Sequence, residues 1–216
     1  MASPWSVVEG NDPDLLRRIR DPGVGLALWR RVQPRPLAEW LRSTPLHRLP
    51  HGRVLVGRDR IVRALETIVR PNPEPAARLL LTDMSDLVDR FCDIADTTLV
   101  DIRLEALSHD GCWKFHTDNV ALRLIATYRG PGTQWVAAAD SERALSEQRR
   151  YAGAVQDIPN HAAALFRGTA GGSGEAVVHR SPPIAKAGKS RLVLVLNLPS
   201  AASPPETHVE DENLVR

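Results

Sequence analysis

The run Cys112-Trp-Lys-Phe-His-Thr-Asp-Asn119 holds the residues with the clearest capacity for chemistry. His116 and Asp118 are two apart, and on an extended chain such residues point to one face, roughly 7 Å apart at Cα. An imidazole and a carboxylate converging from there suit iron, manganese or zinc. Cys112, four places before His116, could add a thiolate, although an apolar buried cysteine is the commoner outcome. Trp113 and Phe115 flank the histidine and fit either a pocket wall or core filling.

A third partner stands far along the chain. His179 closes the stretch Glu175-Ala-Val-Val-His179, distant from Asp118 in sequence and free to be near it in space. Two histidines and one carboxylate form the facial triad of non-haem Fe(II) oxygenases, which leaves coordination positions open for other ligands. Twelve residues later Arg191 opens Arg191-Leu-Val-Leu-Val-Leu-Asn197, where a guanidinium can grip a carboxylate in a bidentate fork. Arg123, between Leu122 and Leu124, faces either the interior beside this site or solvent. His109-Asp110 reads as a loop, and His47, His51, His161 and His208 have no convergent partners in the sequence.

The elements that must carry these residues fall into two parts. Residues 1–96 read as mainly helical. Asp12-Pro13 starts a short helix, Pro36 to Leu41 forms a turn or two, and Ile61 to Val69 and Pro75 to Ala95 show helical apolar spacing. Val24 to Trp29 is a short buried strand. Residues 97–198 read as strands: Thr98 to Leu107, Val120 to Tyr128, Ala162 to Phe166, Ala176 to His179 and Arg191 to Leu198, with loops at Gly130 to Gly132 and Gly168 to Gly174. Several short strands at this spacing indicate a sandwich or barrel. Residues 1–198 are expected to form one domain, and 199–216 a disordered tail.

Composition bounds the remaining choices. The 216 residues carry 28 Lys+Arg against 26 Asp+Glu, a net +2 that argues against a dedicated nucleic-acid binder. Only Lys114, Lys186 and Lys189 are lysines, so the cations are almost all arginine. Cys92 and Cys112 cannot supply a disulfide framework, and a single bridge is unforced. The N-terminus lacks a basic leader and an apolar core, and no run is long enough to span a membrane, so a soluble cytoplasmic protein is expected.

Three stretches together carry a resemblance: Cys112 to Trp135, Val178 to Pro183 and Arg191 to Leu196. They resemble a bacterial domain-of-unknown-function family, number 1826, over most of the chain to Leu198. At a coarser level the order His-x-Asp, distal His, then Arg looks like the Fe(II)/2-oxoglutarate-dependent dioxygenases. That likeness implies an α+β fold with a double-stranded β-helix, a cupin-like jelly-roll barrel, in the C-terminal half and N-terminal helices packed on it. It makes His116, Asp118 and His179 the metal ligands and Arg191 the anchor of the far carboxylate of 2-oxoglutarate, with Tyr128 or Thr127 as a hydroxyl helper and Arg123 in support. Two positions depart from the pattern: the gap from His179 to Arg191 is slightly long, and Val193 stands where a small hydroxyl residue is usual. The implied function is oxidation of a small-molecule or peptide substrate. The alternative is a non-redox zinc protein of metal homeostasis using the same three ligands.

Overall fold

The computed structural model describes residues 5–69, 74–172 and 176–207. Their elements run β1 (Ser6–Gly10), a 3-10 helix (Pro13–Arg20), β2 (Val24–Trp29), α1 (Arg35–Ser43), β3 (Gly52–Gly57), α2 (Ile61–Val69), α3 (Pro75–Ala95), β4 (Leu99–Leu107), β5 (Leu122–Arg129), β6 (Gln134–Trp135), α4 (Ser141–Glu147), β7 (Gln156–Asp157), β8 (Ala163–Arg167), β9 (His179–Arg180) and β10 (Arg191–Asn197).

The longest helix follows directly from its residues. Pro75 opens α3 with φ already set and no N–H to leave unpaired. Leu80, Met84, Leu87, Val88 and Phe91 then recur at three- and four-residue steps, and all are fully buried. The helix ends where Asp96 turns left-handed at φ 51° and the Thr97 N–H reaches back to the Cys92 carbonyl. Phe91→Ala should therefore cost about 3–5 kcal/mol of stability, read as a lower urea midpoint. Val32→Ala, at a side chain left 93% exposed, should leave that midpoint unchanged.

A seven-stranded sheet in the order β1-β2-β8-β5-β10-β4-β3 receives these helices on one face. Strand alternation divides its residues. Leu192, Leu194 and Leu196 of β10 pack with Leu124, Ala126 and Tyr128 of β5 against the helices. Val193 and Val195 turn the other way, with Ile125, Phe166 and Ala164. Every residue of β10 is buried, the signature of a central strand covered on both sides. The second covering is a three-stranded sheet in the order β7-β6-β9, whose Trp135 packs on the second face.

The α+β character expected from the sequence is present, with three corrections to its arrangement. The two sheets face each other without closing into a barrel, because the large sheet keeps two distinct edges, β1 and β3. The strands are also not confined to the C-terminal half: β1, β2 and β3 supply both flanks of the large sheet. β1 and β3 were not legible as strands because each is short and mixes glycine with charge. The third correction concerns the expected tail. Residues 199–207 lie along the sheet, where the Ser203 hydroxyl donates to Asp101 at 2.7 Å and the Thr207 N–H donates to the Leu55 carbonyl at 2.7 Å. Residues 208–216, including His208, lie outside the described residues, as does Glu175 with part of the glycine-rich loop around it. No described helix is long and apolar enough to cross a membrane.

Candidate metal centre

His116 and His179 are brought together by an isolated antiparallel bridge in which each backbone N–H donates to the other's carbonyl at 3.0 Å. A directly opposed pair of this kind places both side chains on one side of the ladder. The two rings lie 4.6 Å apart at their centroids. Both are oriented alike: His116 Nδ1 lies 2.8 Å from the Lys114 carbonyl and His179 Nδ1 lies 3.0 Å from the Val177 carbonyl. A carbonyl only accepts, so Nδ1 carries a proton in both rings, and Nε2 is the nitrogen left to offer a lone pair to a metal.

Those two Nε2 atoms converge on Asp118. His116 Nε2 is 3.8 Å from Asp118 Oδ1 and His179 Nε2 is 3.4 Å from Oδ2. Asp118 is only 5% exposed, yet its Oδ2 has no hydrogen-bond partner. A buried carboxylate oxygen left without a donor is costly. Two lone pairs and that orphaned oxygen, with ligand atoms within 4.8 Å of one another, are a donor set for a divalent metal. Among the described residues this is the one such group of three, and Cys112 is not part of it. Cys112 is exposed rather than buried, and it and Cys92 are both free thiols.

The carbonyl of Asp118 is fixed from behind by the N–H and hydroxyl of Thr169, at 2.8 and 3.1 Å. Gly168 permits this approach, since a Cβ there would meet the Asp118 carbonyl oxygen at 2.6 Å. Phe166 walls the His179 ring at 4.7 Å. Burial pushes the His179 imidazole down to about 4, against the pull of Asp118, so it is neutral and ligand-competent at pH 7.

Arg191 lies in the same cavity as the two histidines, a space of about 220 Å³ that also includes Arg123, Thr133 and Val193. Its side chain is 1% exposed. Nη2 donates weakly to Thr133 and Thr127 hydroxyls at 3.2 and 3.4 Å, and Nε has no partner. No carboxylate forms an ion pair with it among the described residues. Burial pushes its guanidinium down to about 10, which leaves it cationic at neutral pH. Gly130, at φ 83°, allows the neighbouring turn to close over it; a Cβ there would sit 3.0 Å from Arg191 Cγ.

The structure separates the sequence-derived candidates. His116, Asp118, His179, Arg123, Thr127 and Arg191 come together. Tyr128 does not: adjacent strand residues face opposite ways, and its hydroxyl donates to Asp83 at 2.6 Å on the helical side. Phe115 fills a small core with Val136, Ala144 and Val178. Trp113 lines an outer depression with Lys114 and His116, its ring 4.0 Å from the Arg149 guanidinium. The sequence reading missed Thr133 and Asn197. Asn197 was within reach, because positions 191, 193, 195 and 197 of one strand must share a face. Thr133 follows an irregular turn and gave no such sign.

His161, without partners in the sequence, is buried beside Tyr128, Asp83 and Arg31 on the far side of the sheet. Burial, reinforced by Arg31, pushes it from 6.5 to about 4. The unfolded chain binds this proton near pH 6.5 and the folded one only near pH 4, so metal-free stability should fall as pH drops across that window. Each of His161 and His179 contributes up to roughly 3 kcal/mol to the loss, and none further below pH 4. His161→Asn, which keeps a residue tolerant of the local φ of 68°, should remove about half of that slope in urea unfolding measured at several pH values.

Among solved structures, the chain is similar to a prolyl-4-hydroxylase from Pseudomonas putida, at 13% identity over 86% of this chain and 96% of that one, with a TM-score of 0.42. It is similar to the Kdo hydroxylase KdoO, a non-haem Fe(II) and α-ketoglutarate-dependent dioxygenase, at 9% identity over 89% and 88%, TM-score 0.47. A third is a full-length Neurospora crassa protein in complex with α-ketoglutarate and 5-formyluracil, at 10% identity over 96% and 89%, TM-score 0.47. No curated protein matches the sequence. A family model described as "Protein of unknown function (DUF1826)" matches residues 10–197, and the chain belongs to that family.

Proposed function

We propose that the chain is a non-haem Fe(II)/2-oxoglutarate-dependent oxygenase. The observation that carries this reading is Arg191. A buried guanidinium without an ion-paired carboxylate among the described residues, sharing a cavity with Glu105 and with both histidines of the metal donor set, is a site prepared for an anion that also reaches the metal. His116 Nε2, His179 Nε2 and Asp118 Oδ2 would hold the metal. Arg191 would hold the far carboxylate of 2-oxoglutarate, with the Thr133 and Thr127 hydroxyls beside it in place of the one absent at Val193. Bound iron and 2-oxoglutarate would supply the oxidation of a substrate C–H bond by dioxygen. The chain's own share is to orient both groups and to keep water out, which the apolar wall of Ile125, Val193 and Val195 supports.

Anaerobic titration of the folded chain with Fe(II) and 2-oxoglutarate tests this. A visible charge-transfer band that needs both components is expected, and its absence would sink the reading. Zinc retained through purification, together with no such band, would favour the non-redox metal-binding alternative, in which Arg191 has no task.

A further inference from the structure

Arg123 sits on β5, on the same face as Ile125 and Thr127, and its side chain is 22% exposed. Its Nε donates to Asn197 Oδ1 at 2.7 Å, and its Nη1 donates to Asp118 Oδ1. Asn197 is its cross-strand partner in the β10–β5 register and is itself buried. The guanidinium therefore links the rigid centre of the sheet to the irregular segment that carries Asp118. Asp118 Oδ1 is committed to this bond, while Oδ2 faces His179 without a donor. Rotating the carboxylate would break a charge-assisted hydrogen bond in a site with few alternatives.

We infer that Arg123, steered by Asn197, is a positioning residue that holds Asp118 as a one-oxygen metal ligand. The inference rests on the metal reading of His116, Asp118 and His179. One oxygen per carboxylate leaves more of the coordination sphere for outside ligands than a two-oxygen grip would. The guanidinium also offsets the carboxylate charge, so a bound divalent ion keeps its full pull on an anion arriving from the Arg191 side.

Two effects of Arg123 on metal affinity oppose each other, and their sign decides the case. Repulsion between guanidinium and cation alone predicts tighter binding once the arginine is removed. Positioning predicts weaker binding, by about 10- to 100-fold, as for other groups that orient metal ligands. The experiment uses Co(II) on the full chain, with affinity from calorimetry and coordination from the visible absorption bands. Arg123→Ala is expected to weaken Co(II) binding within that range and to change the bands. Asn197→Ala should move both in the same direction by less, and Arg123→Lys, which keeps the charge but cannot bridge both partners, should recover part of the affinity. Equal or tighter binding by Arg123→Ala with unchanged bands overturns the proposal. If that variant does not fold, unchanged affinity and bands in Asn197→Ala overturn it equally. Co(II) binding in the wild type that His116→Ala leaves intact would overturn the metal reading itself, and this inference with it.

Discussion

A chain carrying Arg191→Met is expected to be more stable than the wild type in the absence of ligands and to lose its affinity for 2-oxoglutarate. The physical reason is the state of the arginine: 1% exposed, bonded only to two hydroxyls at long range, and drawn by Glu105 of the same cavity without an ion pair to any carboxylate among the described residues. A buried cation with no ion-paired carboxylate costs free energy, and replacing buried charged groups by apolar side chains of similar volume is often neutral or stabilising, by up to about 4 kcal/mol. The urea midpoint of the metal-free protein should rise accordingly. Loss of one partner of a buried charge pair typically costs about 2–5 kcal/mol of binding, so 2-oxoglutarate affinity should fall by at least about 30-fold. Metal affinity should stay within a few-fold, because Arg191 touches none of the three ligands. Arg191→Lys should be intermediate, since it keeps a charge and loses the fork. A thermal-shift series is a convenient check: 2-oxoglutarate with metal should raise the wild-type melting temperature and leave that of Arg191→Met in place. Destabilisation of the ligand-free variant would instead make Arg191 a structural residue and remove the main support for an anion site.

The second large effect concerns His179. Alanine there should weaken Fe(II) binding by at least about 100-fold, a loss larger than that for an outer group that merely orients a ligand. The variant removes one of three donors and leaves Asp118 Oδ2 with neither metal nor donor nearby. His179→Gln keeps more of the buried volume against Phe166 and separates lost ligation from lost packing. Anaerobic calorimetry with Fe(II) on wild type, His179→Ala and His179→Gln provides the measurement. Near-equal affinities across the three would refute a metal centre at this place. The metal-free variants should also show a shallower loss of stability between pH 6.5 and 4, because the buried imidazole held near 4 is gone.

The two effects are linked by one architecture. The large sheet places Arg191, Thr127 and Arg123 on one face, and the bridge between the His116 and His179 segments sets the donor atoms across from them. A fold that leaves one cation without an ion pair and one carboxylate oxygen without a donor around one site gives up stability there, a pattern typical of sites that await ligands.

The sequence by itself determined the local elements that depend on periodicity. α2 and α3 fall where the apolar spacing puts them, and β4, β5, β8 and β10 lie within a residue or two of the expected strands. It also determined the candidate donors, because His-x-Asp, a distant histidine and a following arginine are a matter of residue type and order. The tertiary structure alone decided the rest. The pairing of β2 with β8 and of β3 with β4, and the addition of β1 at the edge beside β2, depend on hydrogen bonding between separate segments that no local pattern encodes, and so the expected barrel gave way to two facing sheets. Which hydroxyls attend Arg191 was settled by strand alternation and by an irregular turn: Thr127 and Thr133 face it, and Tyr128 points to Asp83. Arginine was abundant throughout the chain, and composition could not tell one from another. Burial could: Arg191 stands apart because it is enclosed without an ion-paired carboxylate among the described residues, and Arg123 because it holds the carboxylate that the two histidines approach.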